Sequence, residues 1–290
     1  MMKIMDLYLG KPHSLVSVGE NGYALAHEMQ NDNVIATYGL TNNLILDNGA
    51  DELGEGQGGH RLTYLAGRLN PRWVILPDVL HKDKETRKRG KEFYHNLRDA
   101  GYKGKFMSVI QSKTLEKGLE SYKFWAKSGM VDRIGVTYDT KITGMYSEEF
   151  SWGNRLGFLR EIAESGLYDK YGVGVHMLGT LDVEELYFLY HYEEFEKSGV
   201  RQMVESHDTT APYACPTKFI AGLNKISFGR PKDWNRLNFH RSPNNYEKTI
   251  AYWNVACYLS ACKIPRDRWH EYMPLGCVEE LWESFEYYYE

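Results

Sequence analysis

Short apolar runs alternate with long amphipathic stretches along this chain, and that alternation restricts its fold more than any other feature. The short runs are LILDNG (44–49), WVILPD (73–78), FMSVIQ (106–111), RIGVTYD (133–139), VGVHMLG (173–179) and QMVESHD (202–208). Apolar and β-branched residues closed by polar ones read as parallel strands covered on both faces. The N-terminal MMKIMDLYLGK reads as a first strand. Between the runs lie helical stretches. Residues 82–101 end in Gly101, residues 112–129 begin at Ser112 as N-cap and end in Gly129, and 147–166 and 182–199 repeat the design. Residues 244–262 read as a long buried helix, and CVEELWESFEYYYE as a last one.

Strand and helix in regular alternation imply a parallel sheet with right-handed crossovers. A closed barrel is favoured over an open sheet. Neither GxGxxG nor GxxxxGK[ST] follows the first strand. Polar residues (Asp47, Asp78, Gln111, His176, His207, Asp208) recur at strand ends, which a barrel gathers around one mouth. The expected fold is therefore α/β, a single-domain (β/α)8 TIM barrel over 1–243, with a C-terminal helical segment, 244–290, packed on it. The length of 290 residues suits such a barrel with some decoration.

Lys plus Arg is 35 and Asp plus Glu 39, giving a net charge of −4. That disfavours binding to nucleic acid by bulk charge while leaving room for a local basic groove. No run approaches the ~20 apolar residues of a membrane span, and the N-terminus lacks a signal peptide's apolar core and cleavage site. The four cysteines, Cys215, Cys257, Cys262 and Cys277, form no CxxC and read as reduced thiols of a cytoplasmic protein.

Asp47 closes a strand ahead of Asn48-Gly49, a placement suited to acid–base work or to capping a turn. Asp78 follows WVILP, whose proline stiffens the approach. Glu205, His207 and Asp208 crowd one strand end; alternation directs Glu205 and His207 to one face and Asp208 to the other. Ionisable groups there are costly unless paired or used. Gln111 offers both donor and acceptor to a flat polar ligand, and His176 sits inside an apolar strand. No HxH or HExxH is present, and no metal is expected, although a barrel mouth has room for a site built from His176, His207 and an aspartate.

The ordered series LDNGADELG, VILPDVL, SVIQSK, DRIGVTYD, GVGVHMLGT and ESHDTTAPY resembles the guanine transglycosylases of the queuine/archaeosine tRNA-ribosyltransferase superfamily. It is most similar to their phage-type relatives that act on DNA, over roughly residues 44–213. The order and spacing of the motifs carry the resemblance. It implies a (β/α)8 barrel that exchanges guanine for a 7-deazaguanine (preQ0-like) through a covalent aspartyl-glycosyl intermediate, protecting phage DNA from restriction. By position it implies Asp208 as nucleophile, Asp47 as acid/base and Asp78 as the carboxylate that reads the base. Gln111 would hydrogen-bond the base, Gly135 would let backbone approach it, and His176 and Met177 would lie under the purine plane, beside His207. The implied partners are DNA and the free 7-deazaguanine base; no cofactor is implied.

Two departures qualify the resemblance. The family's D-S-G-G-F-Q stands here as Asp47-Asn48-Gly49-Ala50-Asp51-Glu52, so a base-packing aromatic is replaced and Asp51 rivals Asp47 for the acid/base role. The zinc subdomain motif C-x-C-x-x-C…H of the tRNA enzymes has no counterpart, which points away from tRNA, towards DNA, and towards a monomer or weak homodimer. A run beginning at His81-Lys82 and reaching Arg87-Lys88-Arg89 is basic. A better nucleic-acid surface is Arg230, Lys232, Trp234, Arg236 and Arg241, where cations can hold phosphates and an aromatic can stack a base. The remaining readings are a tRNA enzyme, a barrel glycoside hydrolase using two of the carboxylates, and a non-catalytic nucleic-acid-binding barrel.

Overall fold

The computed structural model describes residues 6–9, 21–41, 43–53, 55–138, 151–180, 183–209 and 245–272. Eight strands close into a barrel: β1 (Asp6–Leu9), β2 (Asn21–Leu25), β3 (Asn43–Asp47), β4 (Trp73–Ile75), β5 (Lys105–Val109), β6 (Arg133–Thr137), β7 (Gly174–Leu178) and β8 (Val204–Thr209). Each pairs in parallel with the next, and β8 pairs with β1. The fold is thus the expected α/β barrel. The strand that the apolar pattern misses is β2, NGYAL: it opens on Asn and Gly and has only Tyr23 as a strong strand former. Its register against β3, Gly22 to Leu44 and Ala24 to Leu46, makes it a strand.

Alternation separates two cores. Tyr8, Tyr23, Ile45, Trp73, Ile75, Met107, Val109 and Leu178 pack together inside the barrel. The intervening residues, among them Leu44, Leu46, Val74, Phe106, Ile134, Val136, Val175 and Met177, pack outward against the helices. The helices are α1 (Asp32–Tyr38), α2 (Ala50–Leu53), α3 (Gly59–Leu69), α4 (Asp83–Asp99), α5 (Leu115–Ser128), α6 (Ser151–Glu164), α7 (Leu167–Tyr171), α8 (Val183–His191), α9 (Glu193–Lys197), α10 (Val200–Met203) and α11 (Asn245–Ala261).

In α4 the buried residues Thr86, Gly90, Phe93 and Leu97 recur at helical spacing. Gly90 faces α5: a Cβ there would stand 2.8 Å from the Trp125 ring, so the missing side chain sets how closely these helices approach. The N-cap of α5 is Thr114, whose hydroxyl accepts from the Lys117 N–H, and not Ser112, whose hydroxyl instead donates to the Lys117 carbonyl. The stretch 182–199 is two helices, because Tyr192 adopts extended backbone (φ −88°, ψ 122°) between them. On the outer wall α11 packs against α8, and Ala251, Val255, Tyr258 and Leu259 join the same core as the barrel's outer face. Described residues before and after the expected boundary at 243/244 therefore share one hydrophobic core. The C-terminal helix expected over CVEELWESFEYYYE lies outside the described residues.

A fully buried ion pair ties the carboxyl ends of neighbouring strands. Arg155 of α6 and Glu185 of α8 are both 0 % exposed. The Arg155 Nε donates to Glu185 Oε1 at 2.7 Å and its Nη2 pairs with Oε2. The remaining guanidinium hydrogens reach the carbonyls of Leu178 (2.5 Å) and Val136 (3.4 Å) and the hydroxyl of Thr180 (3.3 Å). One planar cation thus fastens two helices to β6, β7 and the turn after β7. Arg155→Met removes the guanidinium that neutralises buried Glu185 and should lower the unfolding free energy by about 3–5 kcal/mol. The double variant Arg155→Met/Glu185→Leu should recover much of that loss; urea denaturation of the three proteins checks both outcomes.

Candidate active site

The barrel gathers its acidic residues at the carboxyl ends of β3, β4 and β8, and each is held differently. Asp47 is the last residue of β3. Its Oδ2 accepts from the Tyr23 hydroxyl, and its Oδ1 from the Gly49 N–H at 2.8 Å. Gly49 has φ +73°, and a Cβ there would stand 2.5 Å from His27 Nδ1, so the turn that presents this N–H requires glycine.

Asp78 lies beyond β4 and is 3 % exposed. Two side-chain amides grip it: Asn48 Nδ2 donates to Oδ1 at 2.7 Å, and Gln111 Nε2 to Oδ2 at 2.6 Å. These amides are anchored in turn. Asn48 also donates to the Leu76 carbonyl, and Gln111 Oε1 accepts from the N–H of His81, which adopts left-handed backbone (φ +58°). Burial pushes the Asp78 carboxyl up to about 7, against the pull of the Asn48 and Gln111 amides and with help from the neighbouring Asp47 charge.

Asp208 owes its direction to a bulge. Val175 pairs with Val204 and His176 with Ser206, so Glu205 is one residue too many in β8. Val204 packs in the outer core, yet Ser206 and Asp208, two and four residues on, both contact His176. Without the bulge, alternation would keep Val204, Ser206 and Asp208 on one face. The displaced Glu205 lies over Gly174, where a Cβ would come within 2.4 Å of its side chain, and pairs with Arg133 at 2.8 Å. The simple alternation expected from the sequence is thereby corrected for Glu205.

The Asp208 Oδ1 accepts from the N–H of Gly179, at φ +63°, and meets His176 Nε2 at 2.9 Å. Among the described residues nothing hydrogen-bonds its Oδ2. Burial pushes the Asp208 carboxyl up to about 7, opposed by the Gly179 N–H and the Arg155 charge. Burial, followed by Arg133 and Arg155, holds the His176 imidazole well below its usual range, which favours the neutral ring.

The structure therefore brings Asp47, Asp78, Gln111 and Asp208 to the barrel's carboxyl-end mouth, with His176 buried in the interior against Asp208. Gly135 lines the interior beside them, but a Cβ there would meet Leu178 at 2.7 Å, so this glycine makes room for a leucine. Met177 and His207 are not brought to the mouth. Met177 packs in the outer core, and the His207 Nε2 lies 3.2 Å from the Sγ of Cys262 under α11. Their expected place at the base is corrected to the outer face, since each precedes or follows an inward residue by one position, and the expected opposition of His207 to Asp208 holds. His176 and His207 consequently cannot share an ion, and no cluster able to hold a metal occurs among the described residues.

The basic run after Asp78 is an ion-paired helix face, with Arg87 to Asp83 at 2.7 Å and Arg89 to Glu85 at 2.9 Å. Arg230, Lys232, Trp234, Arg236 and Arg241 lie outside the described residues, as does the side chain of Asp51. Cys257 and Cys262 are buried and not joined in a disulfide, and Cys215 and Cys277 lie outside the described residues. No helix of the described residues is long and apolar enough to cross a membrane. Sequence reasoning missed Tyr23, Asn48, Ser206 and Arg133, whose importance comes from contacts made across strands. No protein-family model matches the chain, and no curated protein is significantly similar to it.

The two raised carboxyls make stability depend on pH. Each has an ordinary value of 3.8 and a folded value of about 7. Between these values the folded protein holds a proton that the unfolded chain has lost, so stability falls as pH rises through the interval. The expected slope is about 1.4 kcal/mol per pH unit for each group, with the contribution complete below about pH 4. Asp208→Asn should flatten this decline, which urea unfolding of both proteins at about pH 5 and about pH 7 measures.

Proposed function

We propose that this protein is a base-exchanging transglycosylase that replaces guanine in DNA with a 7-deazaguanine. The observation that carries the reading is the setting of Asp208: a buried carboxyl with one oxygen held by two donors and, among the described residues, no hydrogen bond to the other. That is how a carboxylate nucleophile has to be presented. In an eight-stranded ring β4 and β8 stand opposite one another, so Asp78 and Asp208 belong to opposite sides of the mouth. A nucleotide between them would put C1′ at Asp208 and its base edge at Asp78 and Gln111. The second lone pairs of the Asp78 oxygens can accept from the N1–H and 2-amino group of guanine, and so distinguish it from adenine.

The chemistry balances with two half-reactions. Asp208 Oδ2 forms a bond to C1′ as the C1′–N9 bond breaks; the bonding pair remains on N9, which takes a proton from the Asp47 carboxyl. The incoming deazaguanine then gives its N9 proton to the Asp47 carboxylate, attacks C1′ and releases Asp208. The target base has to leave the stack to reach this mouth. The sequence motif resemblance supports DNA as the polymer.

A base-exchange assay tests the proposal. The protein is incubated with guanine-containing DNA, and separately with tRNA, in the presence of cyano-, amidino- and aminomethyl-7-deazaguanines, and the digested nucleosides are identified by mass. A deazaguanine deoxynucleoside is expected from DNA, falling by at least about 10³-fold in Asp208→Ala. Incorporation into tRNA alone would overturn the substrate, and incorporation into neither would overturn the activity.

A further inference from the structure

Beneath Asp208 a continuous polar chain descends through the barrel. Arg133 Nη1 donates to Ser206 Oγ at 2.7 Å, Ser206 Oγ lies 2.7 Å from His176 Nδ1, and His176 Nε2 lies 2.9 Å from Asp208 Oδ1. Ser206 and His176 are 0 % exposed, and Arg133 and Asp208 are buried. The foot of the chain is pinned. Arg133 Nε donates to the bulged Glu205 at 2.8 Å, and the guanidinium stacks over the Trp73 ring at 4.1 Å. A buried polar chain is costly unless every member is satisfied.

Donor and acceptor rules fix where the hydrogens lie. Arginine only donates, so Ser206 Oγ accepts from it. Among the described residues, the one acceptor within reach of the Ser206 hydroxyl hydrogen is His176 Nδ1. A ring that accepts at Nδ1 and is neutral carries its hydrogen on Nε2, where Asp208 Oδ1 receives it. We infer that Arg133 and Ser206 are positioning residues that lock His176 as its Nε2–H tautomer, so that His176 holds Oδ1 of Asp208 and leaves Oδ2 as the attacking oxygen. This rests on the reading of Asp208 as the nucleophile. The same lock denies His176 a lone pair facing Asp208, so the imidazole cannot take a proton from the carboxyl and acts as a fixed donor.

The test combines a readout that needs no activity with one that does. Nitrogen NMR of histidine-labelled protein, with His176 assigned by its loss in His176→Gln, should show a protonated Nε2 and a bare Nδ1. In Ser206→Ala a protonated-Nδ1 population should appear. In the base-exchange assay Ser206→Ala should lower kcat by about 10- to 100-fold, the cost usual for a group supporting a functional ligand, with little change in KM for the base. His176→Gln, which keeps an N–H donor, should retain more activity than His176→Leu. A protonated Nδ1 in the unaltered protein, an unchanged tautomer in Ser206→Ala, or full activity of Ser206→Ala would each overturn the inference. The expected nitrogen pattern together with no exchange by the unaltered protein would uphold the lock and overturn the base-exchange reading instead.

Discussion

Glu205 puts an extra residue into β8 opposite Val175 and His176, and the inward direction of Ser206 and Asp208 follows from it. A strand has only two faces, so an inserted residue is the way a strand that begins packed outward at Val204 can end with a carboxylate in the interior. The bulge is held by its own contacts: Glu205 occupies the space above Gly174 and pairs with Arg133, which in turn supports Ser206. The distortion is thereby converted into the foot of the polar chain that ends at Asp208.

The upper end of the site is held from the opposite direction. The guanidinium of Arg155, neutralised by Glu185, binds the carbonyls of Val136 near the end of β6 and Leu178 at the end of β7, and Thr180 donates its N–H to the Asp208 carbonyl. Asp208 is therefore fixed through its side chain from below and through its backbone from above. Asp47 and Asp208 share a device as well: each takes a hydrogen bond from the N–H of a glycine in left-handed backbone, Gly49 and Gly179. Asp78 differs, since amide side chains rather than backbone supply its donors. Three carboxylates of one residue type thus occupy three environments, and such differences let like groups perform different tasks.

Much of this was legible beforehand where the signal is local. Seven strand positions, the glycines that stop α4 and α5, and the placing of Asp47, Asp78, Gln111 and Asp208 at or just beyond strand ends all follow from hydrophobic pattern and helix punctuation, whereas His176 sits in the middle of β7. The failures share one physical cause. NGYAL becomes a strand through its neighbours' registers, Tyr192 breaks a helix that the apolar pattern runs straight through, and Arg155 reads as an ordinary helix arginine until its partner thirty residues on is seen.

Local periodicity determined the architecture, because burying alternating apolar runs between helices leaves few solutions besides a parallel barrel. Tertiary structure alone decided which side of each strand faces the interior. The phase of an alternating pattern depends on strand register, and register is a long-range property that one bulge resets. That is why His176 and Asp208 meet in the interior, while Met177 and His207, one step away on the same strands, pack against the helices outside.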